Sequence, residues 1–389
     1  MSHKLRGKFV KYSILFLTSL VLIYGTRLVY YYRKEHKKDA KNHTLIEYLV
    51  SDEVLTKNKY KKEKDRYYFT NSNNNYIYYS GLMYKMAYID SNYIYAISDE
   101  AVTSLKYGIK EDYDESNIKK WINNVYKNNL DQSNLIDATL INQEDYSKIK
   151  DNLDNYNDFW IRDGYVVNEK KQILKATNFS DFIDVRPFIV LKDSKYITGD
   201  GTKNNPYLLK NDPVSKLDEL YVGDYIVYNN LTLRIIEKNN DGVKVLSVEP
   251  LDRVRVFSLN SNKFSKQNST DLGYYLNNVY IDNLNKKDLI KTNYYTGTYD
   301  IDYDETKKEH VNMYVGILKI GDYFISNYES MHLLTPSNDD IYTVNENKEL
   351  QVQSILTRLN VHPVFTLDKN LGIISGNGRE NNPYKVGEV

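Results

Sequence analysis

The 389-residue chain is constrained most by its own repetition, because one series of sequence pieces occurs twice in the same order. Tyr76 to Leu105 parallels Tyr225 to Val254. Trp121-Ile-Asn-Asn-Val-Tyr126 returns as Tyr275-Leu-Asn-Asn-Val-Tyr280, and Leu140 to Tyr146 returns as Ile317 to Tyr323. Val185-Arg-Pro187 with Gly199-Asp-Gly-Thr-Lys-Asn-Asn-Pro-Tyr207 returns as Val361-His-Pro363 with Gly376-Asn-Gly-Arg-Glu-Asn-Asn-Pro-Tyr384. A period this long points to a duplicated domain, and the second copy carries an insert around Tyr294 to Asn312.

Each copy reads as an α+β unit. Tyr225 to Tyr228, Leu231 to Glu237 and Val243 to Val248 are β-rich runs separated by Asn229-Asn230 and Asn240-Asp241-Gly242, the pattern of an antiparallel meander. A helix follows in both copies. Ser116 caps the first, with Ile118, Ile122 and Val125 on one face; Thr270 caps the second, with Leu272, Leu276 and Val279. The recurring pairs Asn123-Asn124 and Asn277-Asn278 suit the tying down of a loop. Gly199-Asp-Gly201 reads as a tight turn and not a nucleotide loop, since Pro206 follows where a phosphate-binding helix would have to open.

Tyr12 to Thr26 runs without a charge, and the apolar stretch extends to Tyr32 if Arg27 is tolerated. Such a segment suits an uncleaved membrane span with an interfacial Tyr belt. Up to residue 38 there are nine basic residues against Glu35, a balance of +8, and since the whole chain sums to zero the remainder carries −8. An acidic body argues against nucleic acid as partner. Flanking charge leaves orientation tied, and the absence of Cys favours an exported body. The expected organisation is a basic N-terminus (1–11), a transmembrane anchor (12–32), a helical stalk (33–68), repeat domain 1 (69–212) and repeat domain 2 (213–389). Residues 210–217 would form the linker.

The order of meander, aromatic-Leu-Asn-x-x-Tyr helix, Val315-Gly-Ile-Leu318, Leu333-Leu-Thr-Pro336, Val185-Arg-Pro187 and the closing Asn-Asn-Pro-Tyr resembles an uncharacterised exported domain family of low-GC Gram-positive bacteria. That family is distantly similar to the formylglycine-generating-enzyme and C-type-lectin-like fold group. The resemblance implies two tandem lectin-like domains with antiparallel sheets. His362 stands where copy one has Arg186, so a role shared through that Arg is in question.

The oxidase chemistry that the fold group would offer relies on cysteines, and this chain has none. His310, His332 and His362 lack metal-site spacing and suit structural roles. Asp300, Asp302 and Asp304 in the insert are candidate Ca²⁺ ligands, although the Gly and Glu of an EF-hand loop are missing and a solvated acidic loop explains them better. No other cofactor is implied. Tyr294 and Tyr295, next to that acidic run, are candidates for contact with a glycan or protein ligand, as are Trp160 and Arg162. Both Trp also suit a core. The reading is a membrane-anchored, extracytoplasmic binding or adhesion protein without catalysis, whose two sites gain avidity. The alternatives are an inert spacer or envelope component, and an enzyme without a recognisable motif.

Overall fold

Asn and Gly punctuation cuts copy one into short strands, as the meander pattern requires. The structure, a computed structural model, describes Arg27 and residues 43–51, 54, 59–70, 73–154, 157–195, 198–209, 214–299 and 309–387. Copy one contains α1 (Leu45–Leu49), β1 (Tyr60–Glu63), β2 (Arg66–Phe69), β3 (Tyr76–Tyr79), β4 (Leu82–Ile89), β5 (Tyr93–Ser98), β6 (Thr103–Lys106), α2 (Asn117–Trp121), β7 (Leu135–Thr139) and α3 (Gln143–Ile149). It continues with β8 (Phe159–Ile161), β9 (Tyr165–Val167), β10 (Ile173–Lys175), β11 (Phe182–Val185), β12 (Phe188–Lys192) and β13 (Tyr207–Leu208). Copy two follows with β14 (Tyr225–Tyr228), β15 (Leu231–Lys238), β16 (Val243–Ser247), α4 (Leu272–Asn278), β17 (Leu289–Ile290), β18 (Thr292–Tyr295), β19 (His310–Met313) and β20 (Val315–Gly316). It ends with β21 (Met331–Ser337), β22 (Asp340–Val344), β23 (Leu350–Gln353), β24 (Val364–Leu367), β25 (Gly372–Ser375) and β26 (Tyr384–Gly387).

The described part is rich in mixed and mostly antiparallel sheet, with few and short helices. Its main sheets carry the duplication in three dimensions. Copy one runs β13-β3-β4-β5-β12-β7 and copy two runs β26-β14-β15-β16-β24-β17. Even the irregularity is repeated, because β4 bulges between Met86 and Tyr88 and β15 between Ile235 and Glu237. In both copies the last strand lies parallel to the first, through Tyr207↔Ile77 and Tyr384↔Ile226. The turn before it delivers a carbonyl to that first strand: Tyr76 N–H donates to Gly201 at 2.8 Å and Tyr225 N–H to Gly378 at 2.7 Å. A second sheet, β10-β9-β8-β11-β6, completes copy one, and β21-β22-β23 is its shorter counterpart.

The helices depart from the sequence pattern at their ends. Ser116 Oγ does accept the Lys119 N–H of α2 at 3.1 Å, but α4 begins after Asp271, not Thr270. It also stops at Asn278, so Val279 turns out to solvent. Asn277 ties down the loop after the insert, accepting from the Tyr314 and Val315 N–H groups at 3.1 Å each.

Three further expectations need correction or placement. Among the described residues no helix is long and apolar enough to cross a membrane, which corrects the single-pass cell-membrane assignment with extracytoplasmic domains. Residues 12–32, on which that assignment and its transmembrane helix rested, lie outside the described residues apart from Arg27. The stalk ends well before residue 68. Thr44 and Glu47 close a capping box on α1, which buries Leu45, Ile46 and Leu49, while β2 pairs with β4 and extends the sheet of copy one. Lys61 and Lys62 there decorate an exposed edge hairpin, which discourages further strand pairing.

One apolar core runs through both copies, from Leu45 to Val386. Its seam is closed by polar bonds as well. Trp121 Nε1 donates to Gly321 O at 3.1 Å, Phe324 N–H to Val102 O at 2.7 Å and Thr103 Oγ1 to Asp322 O at 2.9 Å. Gly81 and Gly223, both at positive φ, interlock so closely that a Cβ on Gly223 would lie 2.4 Å from Gly81 O. Trp121→Phe keeps the ring packing but leaves Gly321 O without this donor. It should cost about 1–3 kcal/mol in urea unfolding followed through Trp160 fluorescence.

Candidate functional site

The second sheets of the two copies leave a cleft of about 1070 Å³ between them. Strand alternation builds its floor. Phe182 and Asp184 lie two apart on β11 and pair with Lys106 and Ser104 on β6, so these four side chains share one face. Copy two supplies the opposite wall through Tyr342 on β22, through β23 and through the turn Asn345 to Glu349. Asn345 shapes that turn by accepting the Asn347 and Glu349 N–H groups at 2.8 and 2.9 Å. Asn157 Nδ2 reaches across from copy one to Asn347 O at 3.1 Å.

An aromatic platform marks one end. The Phe182 ring meets Tyr342 edge-on at 5.6 Å and Tyr299, from the insert of copy two, at 5.3 Å. Lys106 Nζ lies 4.8 Å from the Phe182 centroid, a cation–π arrangement that holds the ammonium over the platform. Beside it sit carboxylates. Burial pushes the Asp184 carboxyl up to about 7; the Ser326 hydroxyl and the Arg186 charge pull it back, while Asp158 and Glu349 push it further. Asp158 is raised for the same first reason, with Glu169 and Glu349 adding repulsion against the Glu169 N–H that it accepts. These carboxylates therefore feel one another across the cleft. Its remaining polar lining includes the amides of Asn168, Gln172 and Gln351.

The residues singled out by sequence do not form this site. Trp160 is fully buried and donates Nε1 to Leu105 O at 2.9 Å. Arg162 stacks over Tyr113 at 4.8 Å, outside the cleft. Tyr294 and Tyr295 are not a loop surface but buried members of β18: one hydroxyl donates to Val364 O at 2.9 Å and the other to Thr298 O at 3.1 Å. Their hairpin with β19 flanks a separate pocket of about 380 Å³. Asp300, Asp302 and Asp304 lie outside the described residues, and among the described ones no group of three His, Asp or Glu is placed to hold a metal.

Asp184, Phe182, Tyr342 and Glu349 escaped the sequence reading. The signal was a carboxylate set inside an apolar strand next to a repeated motif, Ile183-Asp-Val-Arg-Pro187, where copy two has Asn360. No family model matches the chain, no curated protein matches its sequence and no solved structure matches its fold.

The Asp184 carboxyl titrates higher folded than unfolded, so the folded state holds its proton more tightly. Stability from this group is full below about pH 4 and falls as pH rises to about 7. Asp184→Asn, which mimics the protonated form, should flatten that decline. It should raise stability at pH 8 by on the order of 1–2 kcal/mol, discounted for partial exposure, with little change at pH 4; denaturant melts at both pH values measure it.

Proposed function

We propose that the chain is a ligand-binding protein, built from two lectin-like copies, whose cleft takes a glycan. The observation that carries this reading is the Phe182–Tyr342 pair, with Tyr299 packed against Phe182, beside carboxylates and amides in one wide, polar groove. Sugar rings present apolar faces that stack on aromatic side chains, and hydroxyls that planar amides and carboxylates bind in pairs. Asp158, Glu169, Asp181, Asp184 and Glu349 outnumber Lys106, Lys170 and Lys348, which disfavours a phosphate backbone and suits a neutral or amino sugar.

Duplication here serves construction. Copy one gives the floor and copy two the wall, so the proposed site is single and composite in place of two separate sites gaining avidity. The lectin-like description rests on the α+β build and on the repeated motifs. A glycan array should return a family of hits, and calorimetry on the best should lose about 10-fold in affinity with Phe182→Ala or Tyr342→Ala, the value of one stacking ring. A flat array would favour the spacer reading.

A further inference from the structure

A second pocket, of about 480 Å³, opens at the seam on the closing turns of the two copies. Its walls are the rings of Tyr78, Tyr79, Tyr221 and Tyr384 together with Leu208, Leu209, Val214 and Leu220. Four charged side chains line it, of which Asp131 accepts from Ser133, and Glu219 accepts from the Ser215 and Lys216 N–H groups. Asp224, only 3% exposed, accepts the Tyr78 hydroxyl at 2.6 Å and the Tyr221 N–H at 2.8 Å, both neutral donors. Burial pushes its carboxyl up to about 6, so it is an anion at neutral pH. Arg379 places its guanidinium 5.5 Å from the Tyr78 centroid, and its Nε is buried with no hydrogen-bond partner among the described residues.

Asp224 and Arg379 both line the pocket, and the chain carrying Arg379 passes close to Asp224. A Cβ on Gly378 would lie 2.4 Å from Asp224 Oδ1, and Arg379 is the next residue. A buried guanidinium N–H without an acceptor is costly, and so is a buried carboxylate whose hydrogen bonds come from neutral donors, with Lys238 and Arg234 acting on it only through their charge. A ligand that carries both charges a few ångströms apart on an apolar body satisfies the two together.

We infer that this pocket binds a small zwitterion of the apolar α-amino-acid type, its ammonium on Asp224 within the tyrosine walls and its carboxylate on Arg379. The side chain then lies among Leu208, Leu209 and Leu220. Ammonium over aromatic faces adds cation–π attraction, and guanidinium–carboxylate pairing is the strong, directional partner for the other end. This site is separate from the proposed glycan cleft and stands whether or not that reading holds.

The test is calorimetry on the full chain with L-leucine, L-methionine and L-phenylalanine. Leucinamide and 4-methylpentanoate, each keeping one charge of leucine, serve as controls. At least one amino acid should bind, and both controls should bind at least ~10-fold more weakly. Arg379→Met should abolish the preference for leucine over leucinamide, while Asp224→Asn should abolish the preference for leucine over 4-methylpentanoate. Arg379 lies on a partly exposed turn, so its variant is expected to melt as the parent does and keeps the test valid if Asp224→Asn misfolds. No heat with any of the three amino acids at millimolar concentration, or equal affinity for leucine and leucinamide, overturns the inference.

Discussion

Arg234 holds the two copies to one another. It is 3% exposed on β15, and a charge buried this way costs several kcal/mol unless paired and hydrogen-bonded. Its guanidinium pairs with Glu100 of copy one, which also accepts from Asn327, and its Nε donates to Gly223 O at 3.3 Å. The faces of Phe324 and Tyr225 lie 3.4 and 4.8 Å away. Copy one places Lys85 at the matching position on β4, over Tyr76 as Arg234 is over Tyr225, but pairs it with Asp154 within its own copy at 3.8 Å. Of these two, Arg234 is the one that depends on the other copy for its counter-ion. Opening the seam would strand that charge, so the cleft and the pocket beside it inherit a fixed geometry.

Equivalent positions keep their bonds while changing their chemistry. Trp160 Nε1 donates to Leu105 O, and His332 Nε2, at the matching position on β21, meets Arg255 O at 2.8 Å. Arg186 reaches Ser98 O through Nε and Nη2 at 3.0 and 2.7 Å, whereas His362 Nδ1 meets Ser247 O at 3.1 Å. The Arg-to-His change therefore leaves the task intact, which is to satisfy the carbonyl that ends β5 or β16. Burial lowers the pKa of both His rings, consistent with neutral structural partners.

Much of the main sheet was legible in the chain. Asn229 and Asn230 in copy two, and Ser80 and Gly81 in copy one, all take positive φ, the conformation that two-residue hairpins demand and the Asn-Asn pair foretold. Helical periodicity located α2 and α4 but overran at Val279, because nothing in local spacing records where tertiary contact ends. The aromatic residues misled for the same reason. Tyr294 looks like surface by neighbourhood, yet Gly316 leaves room for its ring and a Cβ there would lie 2.5 Å from it. Conversely Phe182, Tyr299 and Tyr342 are far apart in sequence and come from both copies, so no motif could announce the platform they form. The charged run after residue 58 resembled a stalk because an exposed edge hairpin and a solvated helix share a composition.

The two copies share a core and a buried ion pair, and so form one cooperative body. Native-state hydrogen exchange measures this directly, by comparing the slowest amides of β5 in copy one with those of β16 in copy two. One common opening free energy is expected for both strands, with the same denaturant dependence. Two distinct plateaus, with one copy opening while the other stays protected, would contradict it.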